Sequence, residues 1–155
     1  SQVIAMNQAA AQLKNMSLRL SAPELHEVVL ADQEGIVQAL DNLISNAIKF
    51  AQPGGTVEVV IDLSSLGRVK CHICDSGPGF TEEDRSKLFR RYQRLTARPT
   101  GNEPSTGLGL SIAYRLVQGM GGDLQLALGS GRHGGTDFTL SLPLYSPPAE
   151  TSPLA

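Results

Sequence analysis

Asn42, Asn46, Lys49 and Phe50 stand at i, i+4, i+7 and i+8, so they share one face of any helix that spans them. An amide oxygen can hold a hard cation such as Mg²⁺, and a lysine one turn on can meet phosphate. Asparagine is a modest helix former, and a solvated helix face is usually built from Glu and Lys pairs. Two asparagines, a lysine and an aromatic on one stripe therefore need a reason. Taken alone, the stripe fits an ordinary amphipathic helix equally well, so other stretches must decide.

Three further stretches carry chemistry. Asp75-Ser76-Gly77-Pro78-Gly79 follows a stretch that reads as a buried strand. An aspartate there can be a simple turn former. It is also an acceptor for an exocyclic amine such as that of adenine, and the two glycines let a flat ligand approach the backbone. Ser105-Thr106-Gly107-Leu108-Gly109-Leu110 opens a helix, where free N–H groups suit phosphate. It is not a Walker A loop, because no Gly-Lys-Ser/Thr follows. It is not a dinucleotide fingerprint either, because Ile112 stands at the third glycine position. Gly134-Gly135-Thr136-x-Phe138 enters the last strand. Its hydroxyl could reach Asp75 or a water beside it, and by itself it reads as a Gly-rich hairpin.

The elements that must position these residues follow from periodicity. Ile36, Leu40, Leu43, Ala47 and Ile48 recur at three- and four-residue spacing and predict a central helix through Phe50. Asp32 is its expected cap, and Pro53-Gly54-Gly55 its stop. Val3–Lys14 reads as a preceding helix. Ser17–Leu20 and Glu27–Leu30 read as short strands, separated by Pro23. Thr56–Leu63 and Arg68–Cys74 alternate as a hairpin. Thr81 starts a capped turn, and Arg85–Arg94 is expected as a short helix. Leu95–Thr106 holds Pro99, Gly101 and Pro104 without an apolar period and reads as a mobile loop. Leu108–Met120 is expected to be helical up to Gly121-Gly122. Asp123–Leu128 and Thr136–Leu142 are the last strands. Three helices and about six strands predict an α/β (α+β) two-layer sandwich. Its mixed, largely antiparallel sheet would be covered on one face by the helices. Residues 1–144 would form one domain, and 145–155, rich in proline, a disordered tail or linker.

Composition bounds the function. The 155 residues are 41% hydrophobic, enough for a packed core, and the net charge of −2 without a basic run argues against a nucleic-acid partner. No apolar run approaches the ~20 residues of a membrane span. No signal peptide is visible, and a chain beginning at Ser1 is expected to be a fragment of a longer protein. Cys71 and Cys74 form a C-x-x-C without the further ligands zinc would need. They fall on a strand, where their sulfurs point to opposite faces, so buried structural thiols are expected, reduced as in the cytosol.

The order of these motifs resembles a known family. Asn46 in a helix, Asp75-x-Gly77-x-Gly79, Phe89-x-x-Tyr92, Gly107-x-Gly109 and Gly135-x-x-Phe138 are similar to the N, G1, F, G2 and G3 boxes of the sensor histidine kinase catalytic domain. That domain has the Bergerat fold of the gyrase, Hsp90, histidine kinase and MutL group (GHKL). The resemblance runs from about Val3 to Leu144.

By this resemblance Asp75 would bind the adenine amino group, with Thr136 supporting a water there and Phe50 packing near the base. Asn46 would hold Mg²⁺, while Asn42 and Lys49 would face the phosphates of ATP. Arg94 would approach them from an ATP lid, Leu95–Thr106, hinged by Gly107 and Gly109. Gly77, Gly79, Phe89, Tyr92, Thr106 and Leu108 complete the implied nucleotide set. Asn42, Asn46, Lys49 and Arg94 form the implied catalytic set. The γ-phosphate would pass to a histidine on a dimerisation domain of the same parent protein, and from there to a response regulator. The fragment itself would be a monomer, cytoplasmic, from a parent that is either soluble or membrane-anchored. His26, His72 and His133 lie in a loop, a strand and a Gly-rich turn, and none resembles the phosphoacceptor box. His26-Glu27 shares its dipeptide but enters a predicted strand.

Two other functions use the same motifs. A hydrolase of the gyrase, Hsp90 or MutL type places a water-activating glutamate four residues before the metal asparagine. Here that position is Asn42, which cannot act as a base, and Asp41 lies about 100° round the helix. A nucleotide-binding module without catalysis is the third.

Overall fold

The computed structural model describes residues 2–24, 27–64, 67–90, 100, 107–127 and 131–146. The elements run α1 (Gln2–Leu13), β1 (Ser17–Ser21), α2 (Gln33–Phe50), β2 (Thr56–Ser64), β3 (Arg68–Asp75), α3 (Glu82–Lys87), α4 (Gly109–Gly119), β4 (Asp123–Leu126) and β5 (Asp137–Pro143).

Two of the helices begin at caps that the sequence signals. Asp32 accepts a hydrogen bond from the Gly35 amide at 2.6 Å and so caps α2. Thr81 does the same for α3, accepting from Asp84 N at 3.1 Å. The short helix therefore begins at Glu82, earlier than the apolar residues indicate. The helix over Arg85–Arg94 is not seen as expected: α3 ends at Lys87 and residues 88–90 form a turn. Residues 91–94 lie outside the described residues. After α4 the chain turns through Gly121, whose φ of +72° suits glycine and not a side-chain-bearing residue.

The sheet has five strands in the order β1-β2-β3-β5-β4. β1 pairs with β2 in parallel, and every other pair is antiparallel. This is the mixed, largely antiparallel sheet expected, with one strand fewer. Residues 27–30 do not form a strand. Val29 makes one isolated bridge to Leu144, while Val28 and Leu30 stay exposed. A strand must bury one side of its alternation, and this segment has only Val29 to offer.

One face of the sheet builds the core. Val57, Val59, Cys71, Ile73, Leu124, Phe138, Leu140 and Leu142 meet Ala39, Leu43, Ile44, Ala47 and Ile48 of α2 and Ala113 and Val117 of α4. The other face is polar. His72 lies 3.0 Å from Thr139 Oγ1, and His133 lies 2.9 Å from Glu58 Oε2. Cys71 belongs to the core face and pairs in register with Ile61 and Leu140, whereas Cys74 pairs with Glu58 and Asp137 on the polar side. The two thiols thus face opposite sides of the strand, and both are free and buried. Burial pushes both thiols up to about 12.

At the C-terminal end of β5, Leu144 N donates to Gly67 O at 3.0 Å and Tyr145 N to Val28 O at 2.7 Å. Residues 147–155, the rest of the expected tail, lie outside the described residues. So do His26, Tyr92, Arg94, Thr106 and, apart from Thr100, the whole of the expected lid from Leu95 to Thr106.

Candidate functional site

The site forms where the last turns of α2 meet the loop after β3. Asp75, the final residue of β3, is 5% exposed. Its Oδ1 accepts from Gly77 N at 2.7 Å and from Thr136 N at 3.2 Å. Its Oδ2 accepts from the Thr136 hydroxyl. The backbones are knit as well: Asp75 N donates to Thr136 O at 3.0 Å, and Gly135 N to Asp75 O at 3.1 Å. A buried carboxylate needs such donors to remain charged. About four lone-pair sites exist on a carboxylate. Three are used, and one remains for a ligand's N–H.

The glycines around Asp75 have different duties. A Cβ on Gly135 would stand 2.4 Å from both Asp75 O and Oδ1, and one on Gly77 would stand 2.9 Å from Asp75 Oδ1 and 3.6 Å from Ala51 Cα. Protein atoms already fill the space these two leave, so they permit the turn around the carboxylate and not the approach of a ligand. Gly79 differs. Its φ is +73°, and a Cβ there would find its nearest neighbour, Gly135 O, only at 3.9 Å.

Gly79, Asp75 and Thr136 line a hollow together with Asn46 and Phe50 of α2 and with Pro78 and Phe80, about 250 Å³ in volume including its open mouth. Five of these seven residues are among the site candidates named from the sequence, and Pro78 and Phe80 are not. Phe80 had one legible signal, a large apolar residue in a loop without periodicity, directly after the Gly-x-Gly. Its ring meets Phe138 edge-on at 6.0 Å, which fixes the apolar wall.

Asn42 lies one turn before Asn46, beside the start of α4. Its Oδ1 would be 3.6 Å from a Cβ on Gly109. Its Nδ2 is buried without a hydrogen-bond partner. A buried orphan donor is costly, and an anion at this point would satisfy it. Leu108 is the N-cap residue of α4 and supplies no side-chain cap, and Gly107 precedes it with φ of +70°. The first amides of α4 are thus left for an anion in the same place. Lys49 closes the last turn of α2.

Phe89 is placed elsewhere. Its ring stacks on Tyr114 at 4.7 Å and meets Phe138 edge-on at 6.4 Å, so it braces the wall from behind and does not line the hollow. Among the described residues no group of three or more His, Cys, Asp or Glu could hold a metal ion.

Asp41 points the other way. Its Oδ1 accepts from Asn7 Nδ2 of α1 at 2.7 Å, and Asn7 is itself buried.

A family model, the histidine kinase-, DNA gyrase B- and HSP90-like ATPase, matches residues 31–146. The chain belongs to this family. Among curated relatives, the swarming motility regulation sensor protein RssA of Serratia marcescens is 36% identical over 143 residues, 90% of this chain and 29% of RssA. The sensor histidine kinase WalK of Bacillus subtilis is 38% identical over 122 residues, 78% of this chain and 20% of WalK. The chain spans less than a third of either protein. Among solved structures, the mycobacterial sensor histidine kinase MprB superposes with a TM-score of 0.78 at 26% identity, covering 94% of this chain and 96% of that one. Full-length ShkA in complex with AMPPNP gives a TM-score of 0.78 at 27% identity, covering 94% of this chain and 29% of ShkA. This member of the ATPase family is an ATP-binding catalytic domain of the sensor histidine kinase type.

Proposed function

We propose that the hollow takes the adenine of ATP, and that this domain passes the γ-phosphate to a histidine on a dimerisation domain of its parent protein. Asp75 Oδ2 accepts the adenine amine at its free lone pair, with Thr136 holding the carboxylate in place. Phe50, Pro78 and Phe80 supply the apolar slot for a flat base. From there the phosphates extend toward Asn42, Lys49 and the first amides of α4, where Gly107, Leu108 and Gly109 bring donors. Tyr92, Arg94 and Thr106 complete the site in this reading by resemblance alone. The observation that carries it is the buried Asn42 amide without a partner beside Gly109. It supports an anion at one end of a site whose other end is an acceptor for an amine.

Asn46, which lines the hollow, would hold Mg²⁺ through its amide oxygen. Bound there, the ion supplies charge neutralisation at the transferring phosphoryl group. Asn42, Lys49 and the α4 amides add donors to the same oxygens, and Asn46 orients them.

Hydrolysis by the same fold needs a base beside the metal asparagine, and Asp41 is the only carboxylate adjacent to the stripe in sequence. Its bond to Asn7 holds it against α1, which favours transfer over hydrolysis. No helix among the described residues is long and apolar enough to cross a membrane. The domain works where ATP is, in the cytoplasm, whether or not its parent is anchored, and a response regulator receives the phosphoryl group next.

Incubation with γ-labelled ATP and a separate histidine-bearing dimerisation domain tests the reading. Acid-labile, base-stable label on the added domain is the expected result. Nucleotide binding with no transfer to any such domain would leave a non-catalytic module.

A further inference from the structure

The C-terminal turn of α2 is held from two directions. A helix leaves its last carbonyls without intrahelical partners. Here Lys14, just past α1, donates through Nζ to Ile48 O at 2.8 Å and to Lys49 O at 3.1 Å. Thr100 closes on the same turn from a distant part of the chain. Its backbone N donates to Lys49 O at 2.9 Å, and its hydroxyl to Ala51 O at 2.7 Å. Ala51 is fully buried, and its own N–H donates to Ala47 O at 3.0 Å. On the other side, Phe50 O and Ala51 Cα lie 3.5 and 3.6 Å from the point a Gly77 Cβ would occupy, so the Asp75 loop rests on the same two residues.

We propose that Thr100 is a positioning residue for nucleotide: with Lys14 it fixes the turn that carries Lys49 and Phe50 against the Asp75 loop. The proposal rests on the reading of the hollow as the ATP site. The geometry gives it content. Three donors from two separate segments meet the carbonyls of Ile48, Lys49 and Ala51. The same turn carries Lys49 and Phe50, and Phe50 lines the hollow. Without the hydroxyl, Ala51 O loses its donor, and the turn can rotate Phe50 away from the slot without unfolding the helix.

Thr100→Val removes the hydroxyl and keeps the shape, Thr100→Ala removes it with less bulk, and Thr100→Ser restores it. Calorimetric titration of the 155-residue chain with MgATP should show affinity reduced by about two- to tenfold in the first two, the scale of one hydrogen bond. Thr100→Ser should bind like the unaltered chain. A merely structural residue would lower the melting temperature without that pattern. Lys14→Met should weaken binding too, and its effect should be non-additive with Thr100→Val, because both act on one turn. Unaltered affinity in both Thr100→Val and Thr100→Ala, or additive losses with Lys14→Met, would overturn the proposal. If the unaltered chain binds no ATP, it is the reading of the hollow that fails.

Discussion

Asp75→Asn separates the fold from the function more cleanly than any other single change. The asparagine oxygen can keep the two backbone donors, Gly77 N and Thr136 N. Its NH₂ group then stands where Oδ2 was, and the Thr136 hydroxyl can reverse and accept from it. What the fold loses is the charge-assisted part of three bonds, about 0.5–1 kcal/mol each. A folded variant is expected, less stable by about 2 kcal/mol. The nucleotide loses more. An adenine amine that met a carboxylate oxygen now meets an amide N–H, so two donors face each other in a buried slot. That costs about 1–3 kcal/mol, or roughly 5- to 150-fold in affinity. Calorimetric titration with ATP, on protein whose fold is checked by circular dichroism, measures it. Inorganic tripolyphosphate serves as the control, because it lacks the base and should bind both forms alike. GTP carries a carbonyl in place of the amine, so the preference for ATP over GTP should narrow. Unchanged ATP affinity in the folded variant, or an equal loss for tripolyphosphate, would refute the placement of adenine at Asp75.

Other consequences are as direct. Asn46→Ala should weaken MgATP binding and abolish phosphotransfer to a supplied acceptor domain, with little effect on metal-free nucleotide, as titrations with and without EDTA would show. Asp41→Ala should leave MgATP binding intact but cost about 1–3 kcal/mol of stability in urea unfolding, because Asn7 keeps its buried amide without that acceptor. The isolated chain should bind ATP yet take up no stable label from γ-labelled ATP and hydrolyse it slowly; label on His26 would count against the missing-acceptor argument. Burial raises the Cys71 thiol from 9.0 to about 12. Below pH 9 both states hold the proton and its full contribution to stability is present. From pH 9 to 12 the unfolded thiol ionises and the folded one does not, so stability falls by about 1.4 kcal/mol per pH unit. Cys71→Ala should remove that part of the alkaline slope in denaturation midpoints.

Much of the fold was legible because its signals are local. Asp32 and Thr81 are caps by residue type, Gly121 is a stop, and the alternation of Phe138, Leu140 and Leu142 is a strand with one dry face. Residues 27–30 misled because β-branched and apolar types were present without an alternation that could be buried. Whether a segment joins a sheet depends on what its neighbours leave open, and here β1 already forms the edge beside β2. In the site, residue types named the acceptor and the stripe. Sequence could not show that Gly77 and Gly135 are demanded by the packing of Asp75 itself, since that depends on a turn sixty residues away. It could not show Phe80 as a wall either, because a loop has no period to place a side chain.

The choice between kinase and hydrolase rests on one helix with three faces. Leu43, Ile44, Ala47 and Ile48 of α2 are buried in the core. Asn42 and Asn46 look toward α4 and the hollow. Asp41 faces α1 and bonds Asn7 there. A 100° step per residue separates Asp41 from Asn42, so neither can take the other's role without rewinding the helix. Rewinding would pull Leu43 and Ile44, each 1% exposed, out of the core, at about 1.5–3 kcal/mol for each side chain. That is far more than one ion–dipole contact could return. The core thus keeps Asp41 turned toward α1 and away from the face that carries Asn46. That placement favours the proposed transfer to an acceptor histidine over hydrolysis.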